Sequence, residues 1–194
     1  VEETEKLVGL KKNPVHIYIN PQGEPLLYDK IVDLVRDTTA IEGVDSVSVN
    51  TNGVLLSRNL IDELVEAGLS KINLSLNALH KKLADKIAGS PYPLEHVVKM
   101  IQYASGRLDV VIAPTIIPGY NEEEIVPLVR LAEGLKNKRF PVIGIQNFLY
   151  NKRGRNPTKQ RDFEEFYKVL EEAEKETGLA LTAQKMDFGI VRDL

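Results

Sequence analysis

Apolar positions along the chain keep two alternating rhythms. Five short runs, "VHIYI", "DSVSVN", "KINLSL", "DVVIAPTI" and "VIGIQNFL", have the length and composition of strands. Between them the apolar residues return at helical spacing. In "YDKIVDLVRDTTAIEG", Ile31, Leu34 and Val35 share one face. In "SRNLIDELVEAGLS", Leu60 and Leu64 line up behind Ser57 as N-cap, with Gly68 as the stop. "PLEHVVKMIQYASGR" and "NEEEIVPLVRLAEGLKN" repeat the pattern, and the second opens with Asn121 and Glu124 at capping-box spacing. Residues 161–176 predict a last helix with Phe163, Phe166, Tyr167 and Leu170 turned inward, and "LALTA" predicts a short strand after it.

Strand, crossover helix and strand in repetition predict an α/β fold of parallel strands. The outcomes are a (β/α) barrel, complete or partial, or an open doubly wound sheet. Strands covered on both faces would be apolar throughout. Here Val15, Ile17 and Ile19 alternate with His16, Tyr18 and Asn20. Val47 and Val49 alternate with Ser46, Ser48 and Asn50, and Ile72, Leu74 and Leu76 with Asn73, Ser75 and Asn77. One apolar and one polar face per strand predict a partial TIM-like barrel whose polar face lines a cavity. Five strands do not close an eight-stranded barrel. The expected organisation is one domain over residues 1–194, with 151–194 forming a basic loop, a helix and a short strand.

A net charge of −3 with 27% charged residues gives no general pull toward nucleic acid or membranes. No apolar run approaches the roughly 18 residues of a membrane span, so the expected location is the cytoplasm. The chain has no cysteine, which excludes disulfides, thiolate metal sites and a catalytic thiol among these residues. His16, His80 and His96 lack metal-ligand spacing. There is no Ser/His/Asp pattern and no phosphate-binding glycine loop, and Glu122, Glu123 and Glu124 read as an acidic first helical turn.

In parallel βα folds ligands sit at the C-terminal ends of strands. Those ends are Gln22-Gly23-Glu24-Pro25, Asn50-Thr51-Asn52-Gly53, Ser75-Leu76-Asn77, Ile117-Pro118-Gly119-Tyr120-Asn121 and Gln146-Asn147. Singly, each is ordinary turn chemistry, Pro25 being a common helix start. Glu24 differs, because a carboxylate at a cavity mouth accepts charge-assisted hydrogen bonds from an ammonium group.

Taken in order, the set resembles the radical S-adenosylmethionine (SAM) superfamily over nearly the whole chain. The resemblance implies that Gly23, Glu24 and Pro25 hold the methionine amino group of SAM, and that Thr51 and Asn52 lie near SAM or the substrate. It implies that Asn73 and Ser75 meet the ribose or carboxylate, and that Ile117, Gly119 and Gln146 support the adenine. Residues 49–87 look like the third and fourth βα units of such enzymes, including the molybdenum-cofactor enzyme that rearranges GTP. "QGEPLLY" and "NKRGRNP" resemble segments of an archaeal group of predicted Fe–S oxidoreductases.

Two features depart from that pattern. Gln22 stands where many members have glycine, and the Cys-x-x-x-Cys-x-x-Cys loop that holds a [4Fe–4S] cluster is missing. The chain opens with "VEETEKLVGLKKN", the back half of an amphipathic helix, and without methionine. By the resemblance, the first strand and the cluster loop are expected upstream of Val1, leaving about five of six βα units and no metal ligand here. The whole protein is then expected to cleave SAM reductively to a 5′-deoxyadenosyl radical, with an electron-donor protein as partner. The radical would take hydrogen from a substrate lying against the polar face near His16 and Tyr18. The loop 150–161, with Lys152, Arg153, Arg155, Lys159 and Arg161, reads as a solvated turn or as an anion clamp for a phosphorylated substrate or RNA. Two rival readings are a non-catalytic radical-SAM-like module binding a small molecule or partner, and an unrelated (β/α) barrel enzyme.

Overall fold

In the computed structural model, which describes residues 1–11, 13–154 and 156–182, the alternating segments form a parallel sheet. Strands β1 (Val15–Ile19), β2 (Val44–Thr51), β3 (Lys71–Leu74) and β4 (Asp109–Ile112) lie side by side in chain order. Their register sets Tyr18 beside Ser48, Ser48 beside Lys71, and Lys71 beside Asp109. Beyond Ile112 the run "DVVIAPTI", expected as one strand, is interrupted at Ala113-Pro114. It resumes as β5 (Thr115–Ile116), paired in parallel with β6 (Gln146–Asn147). Proline has no N–H to give a ladder. Its carbonyl still accepts from Gln146 at 2.8 Å, while Gly144 N–H bonds Ile112 O at 2.8 Å. Residues 142–148 therefore continue the sheet beside β4 and β5.

The strand order rises without a reversal, so the sheet has no switch point of the doubly wound kind. Such an order is that of a partial (β/α) barrel, with the sheet curling around its polar face. The helices are α1 (Glu2–Gly9), α2 (Ile31–Thr39), α3 (Arg58–Glu66), α4 (Lys81–Ala88), α5 (Leu94–Ala104), α6 (Ile125–Glu133) and α7 (Phe163–Thr177). Val47, Val49, Ile72, Leu74, Val110 and Ile112 form the buried sheet face and join one core with Val35, Ile61, Leu64, Val97, Ile101 and Leu128 of the helices. Ser57 caps α3 by accepting from Leu60 N–H at 3.1 Å, as its position predicts.

Three local expectations are corrected. Phe163 is 68% exposed; Phe166, Leu170 and Ala173 make the buried stripe of α7, because Asp162 caps the helix and leaves Phe163 in its first turn pointing to solvent. Residues 179–182 of "LALTA" form no strand, since the Glu174 carboxylate takes the N–H groups of Leu181 and Thr182, and Ala183 lies outside the described residues. Asn121 and Glu124 form no capping box: Glu122–Glu124 is a 3₁₀ turn ahead of α6, and both side chains bond elsewhere.

Gly53, at the turn after β2, has φ of +78°, and a Cβ there would come within 2.6 Å of Leu74 Cδ1 and 3.0 Å of Val97 Cγ1. Gly53→Ala combines a left-handed backbone with overpacking and is expected to cost about 2–4 kcal/mol in urea unfolding. A loss below about 0.5 kcal/mol would show that the turn is not clamped as described.

Candidate functional site

Glu24 ends the loop after β1 and starts the 3₁₀ turn Pro25–Leu27, with Pro25 buried beneath it. Its Oε1 accepts from Leu26 N–H at 3.1 Å and from the Thr51 hydroxyl at 2.6 Å; its Oε2 accepts from Asn52 N–H at 2.9 Å. The carboxylate thus staples the end of β1 to the end of β2, and Oε2 keeps capacity for a further donor. Thr51 is 3% exposed, and its oxygen also accepts Gly53 N–H at 3.0 Å. Gly23 has φ of +125° with open space around its Cα, so it is the backbone conformation, not crowding, that asks for glycine.

These groups border a cleft of about 630 Å³ along the polar sheet face. Tyr18, Glu24, Asn52, Ser75 and Gln146 line it, with the amides of Asn50 and Asn73 between. Those two amides bond each other, Asn73 Nδ2 to Asn50 Oδ1 at 2.6 Å. A second cavity of about 480 Å³ shares Glu24, Asn52 and Ser75 with the first and is otherwise mostly apolar, with Leu27, Val54, Leu55 and Tyr92 in its wall. Tyr92 donates to Asn52 O at 2.7 Å, and burial, then the Glu24 charge, push its hydroxyl well above the ordinary 10.0. Tyr92 is a fixed donor rather than an acid.

The loop after β5 is held from inside by Asn121, which is 0% exposed. Its Oδ1 accepts Ile117 N–H at 2.7 Å, and its Nδ2 donates to Asn77 O and Thr115 O, both at 2.9 Å. Glu124 takes the N–H groups of Leu79 and His80 at the start of α4, and Glu122 takes Gly119 N–H at 2.7 Å and pairs with Arg161. A ligand at this loop therefore meets the Ile117 side chain and loop carbonyls rather than the Ile117 and Gly119 amides. Ile117 lines a separate slot of about 300 Å³ with Tyr120, Phe148 and Pro157, and Gly119 borders the groove between α6 and α7.

Lower on the polar face, His16 is held between two serines: Nδ1 on Ser46 Oγ, and Nε2 on Ser48 Oγ at 2.9 Å. Burial, then the positive charges of Lys71 and Arg139, hold its pKa below the ordinary 6.5 against the opposite pull of Asp45. As pH falls from about 6.5 toward that lowered value, the unfolded chain takes up a proton that the folded chain refuses, so stability declines. His16→Asn is expected to be less stable than the parent near pH 7, with the gap in melting temperature narrowing by about pH 5. A gap that stays constant would exclude this role. Arg153 sits exposed on the basic loop and lines neither strand-end cavity, and Arg161 is engaged by Glu122. Arg155 lies outside the described residues.

A sequence model of the Radical SAM superfamily matches residues 1–132. The chain belongs to the radical SAM superfamily. It is 35% identical to the uncharacterized protein MJ0103 of Methanocaldococcus jannaschii over 97% of its own length and 49% of that protein. It is 42% identical to the GTP 3′,8-cyclase of Rippkaea orientalis over 56% of itself and 34% of the relative. The chain thus spans about half or less of the length of these curated relatives. The fold also matches solved structures: a domain of pyruvate-formate lyase-activating enzyme from Bacteroides vulgatus, with TM-score 0.62, 17% identity and coverage of 88% of this chain and 98% of that one. Streptococcus suis SuiB bound to S-adenosylmethionine matches with TM-score 0.63 and 20% identity, over 85% of this chain and 35% of that one.

Within this radical SAM fold, sequence reasoning placed Tyr18, Gly23, Glu24, Thr51, Asn52, Asn73, Ser75 and Gln146 around one cleft, and the structure brings these together. It sets His16 deeper, and Ile117 and Gly119 outside that cleft. Sequence reasoning missed Lys71, Tyr92 and the inward turn of Asn121. Continuing the alternation of β3 back one step from Asn73 puts Lys71 on the polar face; Tyr92 carries no periodic signal at all.

Proposed function

We propose that these residues form the SAM-binding strand ends of a radical SAM enzyme, in which SAM is cleaved reductively to a 5′-deoxyadenosyl radical that abstracts hydrogen from a small-molecule substrate. The observation that carries this reading is Glu24, a carboxylate stapled at the mouth of a polar cleft with an acceptor position to spare. SAM offers an ammonium, a carboxylate, a ribose diol and an adenine. Glu24 Oε2 suits the ammonium, Ser75 and the Asn50–Asn73 amides suit the diol or carboxylate, and the slot of Ile117, Tyr120 and Phe148 suits a flat apolar ring. Orienting SAM across the strand ends is the part of the reaction these side chains perform.

The [4Fe–4S] cluster of the superfamily does not fit the residues present. Such a cluster is held by thiolates, and the chain has none. Its ligands, and the electron-donor protein, would lie outside these residues. β1 leaves one sheet edge unpaired among the described residues, where a further strand could add. Without metal chelation, SAM is expected to bind this chain weakly.

The test is the complete gene product, reconstituted anaerobically with iron and sulfide and treated with dithionite and SAM. Formation of 5′-deoxyadenosine is expected. A product that carries a full cluster and forms none would show the reading to be wrong.

A further inference from the structure

The polar face of β3 carries a residue that the strand-end motifs do not use. Lys71 is 4% exposed, on the same face as Asn73 and Ser75. Its Nζ donates to the Tyr18 hydroxyl at 3.2 Å and stands 4.8 Å from the centre of the Tyr18 ring and 4.2 Å from that of Phe140. Among the described residues no carboxylate is ion-paired with it. Asp109, its partner in register, is turned to the N–H groups of Lys138, Arg139 and Phe140, each at 2.8 Å. Those three donors outweigh the effect of burial and hold Asp109 below the usual carboxylate range, so it stays committed to them. Two ring faces and one hydroxyl compensate a buried ammonium only in part.

The hydroxyl oxygen of Tyr18 accepts from Lys71, which leaves its O–H to donate. Tyr18 is 56% exposed and forms part of the cleft wall. One layer above, the Asn50–Asn73 pair adds a further amide donor. Of the other titratable groups here, His16 has both ring nitrogens on serines, and Arg139, over the Phe140 ring, is paired with Asp45. The cleft is therefore bipolar, with an acceptor, Glu24, at the strand ends and, lower on its wall, the Tyr18 hydroxyl, backed from behind by the buried Lys71 ammonium.

We propose that Tyr18, on the cleft wall, and Lys71, buried behind it, form an oxyanion-recognition pair, which seats a carboxylate or phosphate of the substrate on the Tyr18 hydroxyl within the field of the Lys71 ammonium. The inference rests on the reading of this cleft as the site of SAM and substrate, and it narrows the substrate to an anionic small molecule.

The test titrates the ¹⁵N-labelled chain with inorganic phosphate and, separately, with acetate, following the amide resonances of Ser48, Asn50 and Asn73. A saturable shift with phosphate assigns a phosphate ligand, and one with acetate a carboxylate. Lys71→Met and Tyr18→Phe are each expected to weaken that binding about tenfold or more, by loss of a charge or of a charge-assisted donor. If Lys71→Met fails to fold, Tyr18→Phe, at a half-exposed site, decides. No saturable shift with either anion, or unchanged binding in the folded variants, would overturn the pair. A parallel SAM titration separates the two readings. SAM shifts at Gly23 and Asn52 without an anion response remove the pair alone, whereas an anion response together with no 5′-deoxyadenosine from the cluster-loaded complete gene product removes the SAM reading alone.

Discussion

Glu24→Ala is expected to lower stability by about 2–4 kcal/mol and to abolish SAM binding. The carboxylate satisfies the buried Thr51 hydroxyl and the N–H groups of Leu26 and Asn52, so its removal leaves three donors without their acceptor at the junction of two strand-end loops. Glu24→Gln separates the two effects. Its amide oxygen can still serve Leu26 and Thr51, but its NH₂ then faces the Asn52 N–H. A smaller loss, about 1–2 kcal/mol, is expected. SAM binding should still fall, because the charge that attracts the ammonium is gone. Urea unfolding and SAM titration of both variants check this; full SAM binding by a folded Glu24→Gln would deny the carboxylate its part.

The second large effect is expected at Asn121. This one amide ties three backbone groups from the ends of β3 and β5, the N–H of Ile117 buried and the carbonyls of Asn77 and Thr115 partly buried. Asn121→Ala orphans the buried Ile117 N–H, at about 1–3 kcal/mol, and leaves two partly buried carbonyls without this donor, so a total of about 2–4 kcal/mol is expected. Asn121→Asp is the informative companion. It keeps the size and the acceptor for Ile117 N–H but points an anion at the oxygens of Asn77 and Thr115. It should be at least as destabilised as the alanine variant, whereas parent-like stability in Asp would mean that the two donated bonds carry nothing. Limited proteolysis near residues 117–122 should quicken in both variants.

The architecture was legible because the same alternation held over three strands. Odd or even parity along β1, β2 and β3 assigned core and cleft faces, and the order of strand-end motifs then placed Glu24, Asn52 and Ser75 around one space. Local rules failed where a tertiary partner outbid the local one. Asn121 and Glu124 stand at capping-box spacing, yet both reach across to neighbouring loops, where partly buried backbone groups need them more than the helix start does. Phe163 fits a helical apolar face in sequence, but the Asp162 cap sets the helix phase so that this position is solvated. Pro114 split a run that reads as one strand. Lys71 was invisible for another reason: a lysine at a strand start suggests solvent, and only the closeness of Tyr18 and Phe140 makes it an interior cation.

The central claim is that the strand-end cleft is built for SAM, with Glu24 as the ammonium acceptor. The most direct measurement is a crystal structure of this chain soaked with millimolar SAM. The account predicts SAM along the strand ends, its ammonium within hydrogen-bond reach of Glu24 Oε2 and its adenine toward Ile117. SAM bound away from Glu24, for instance in the groove between α6 and α7, would contradict it.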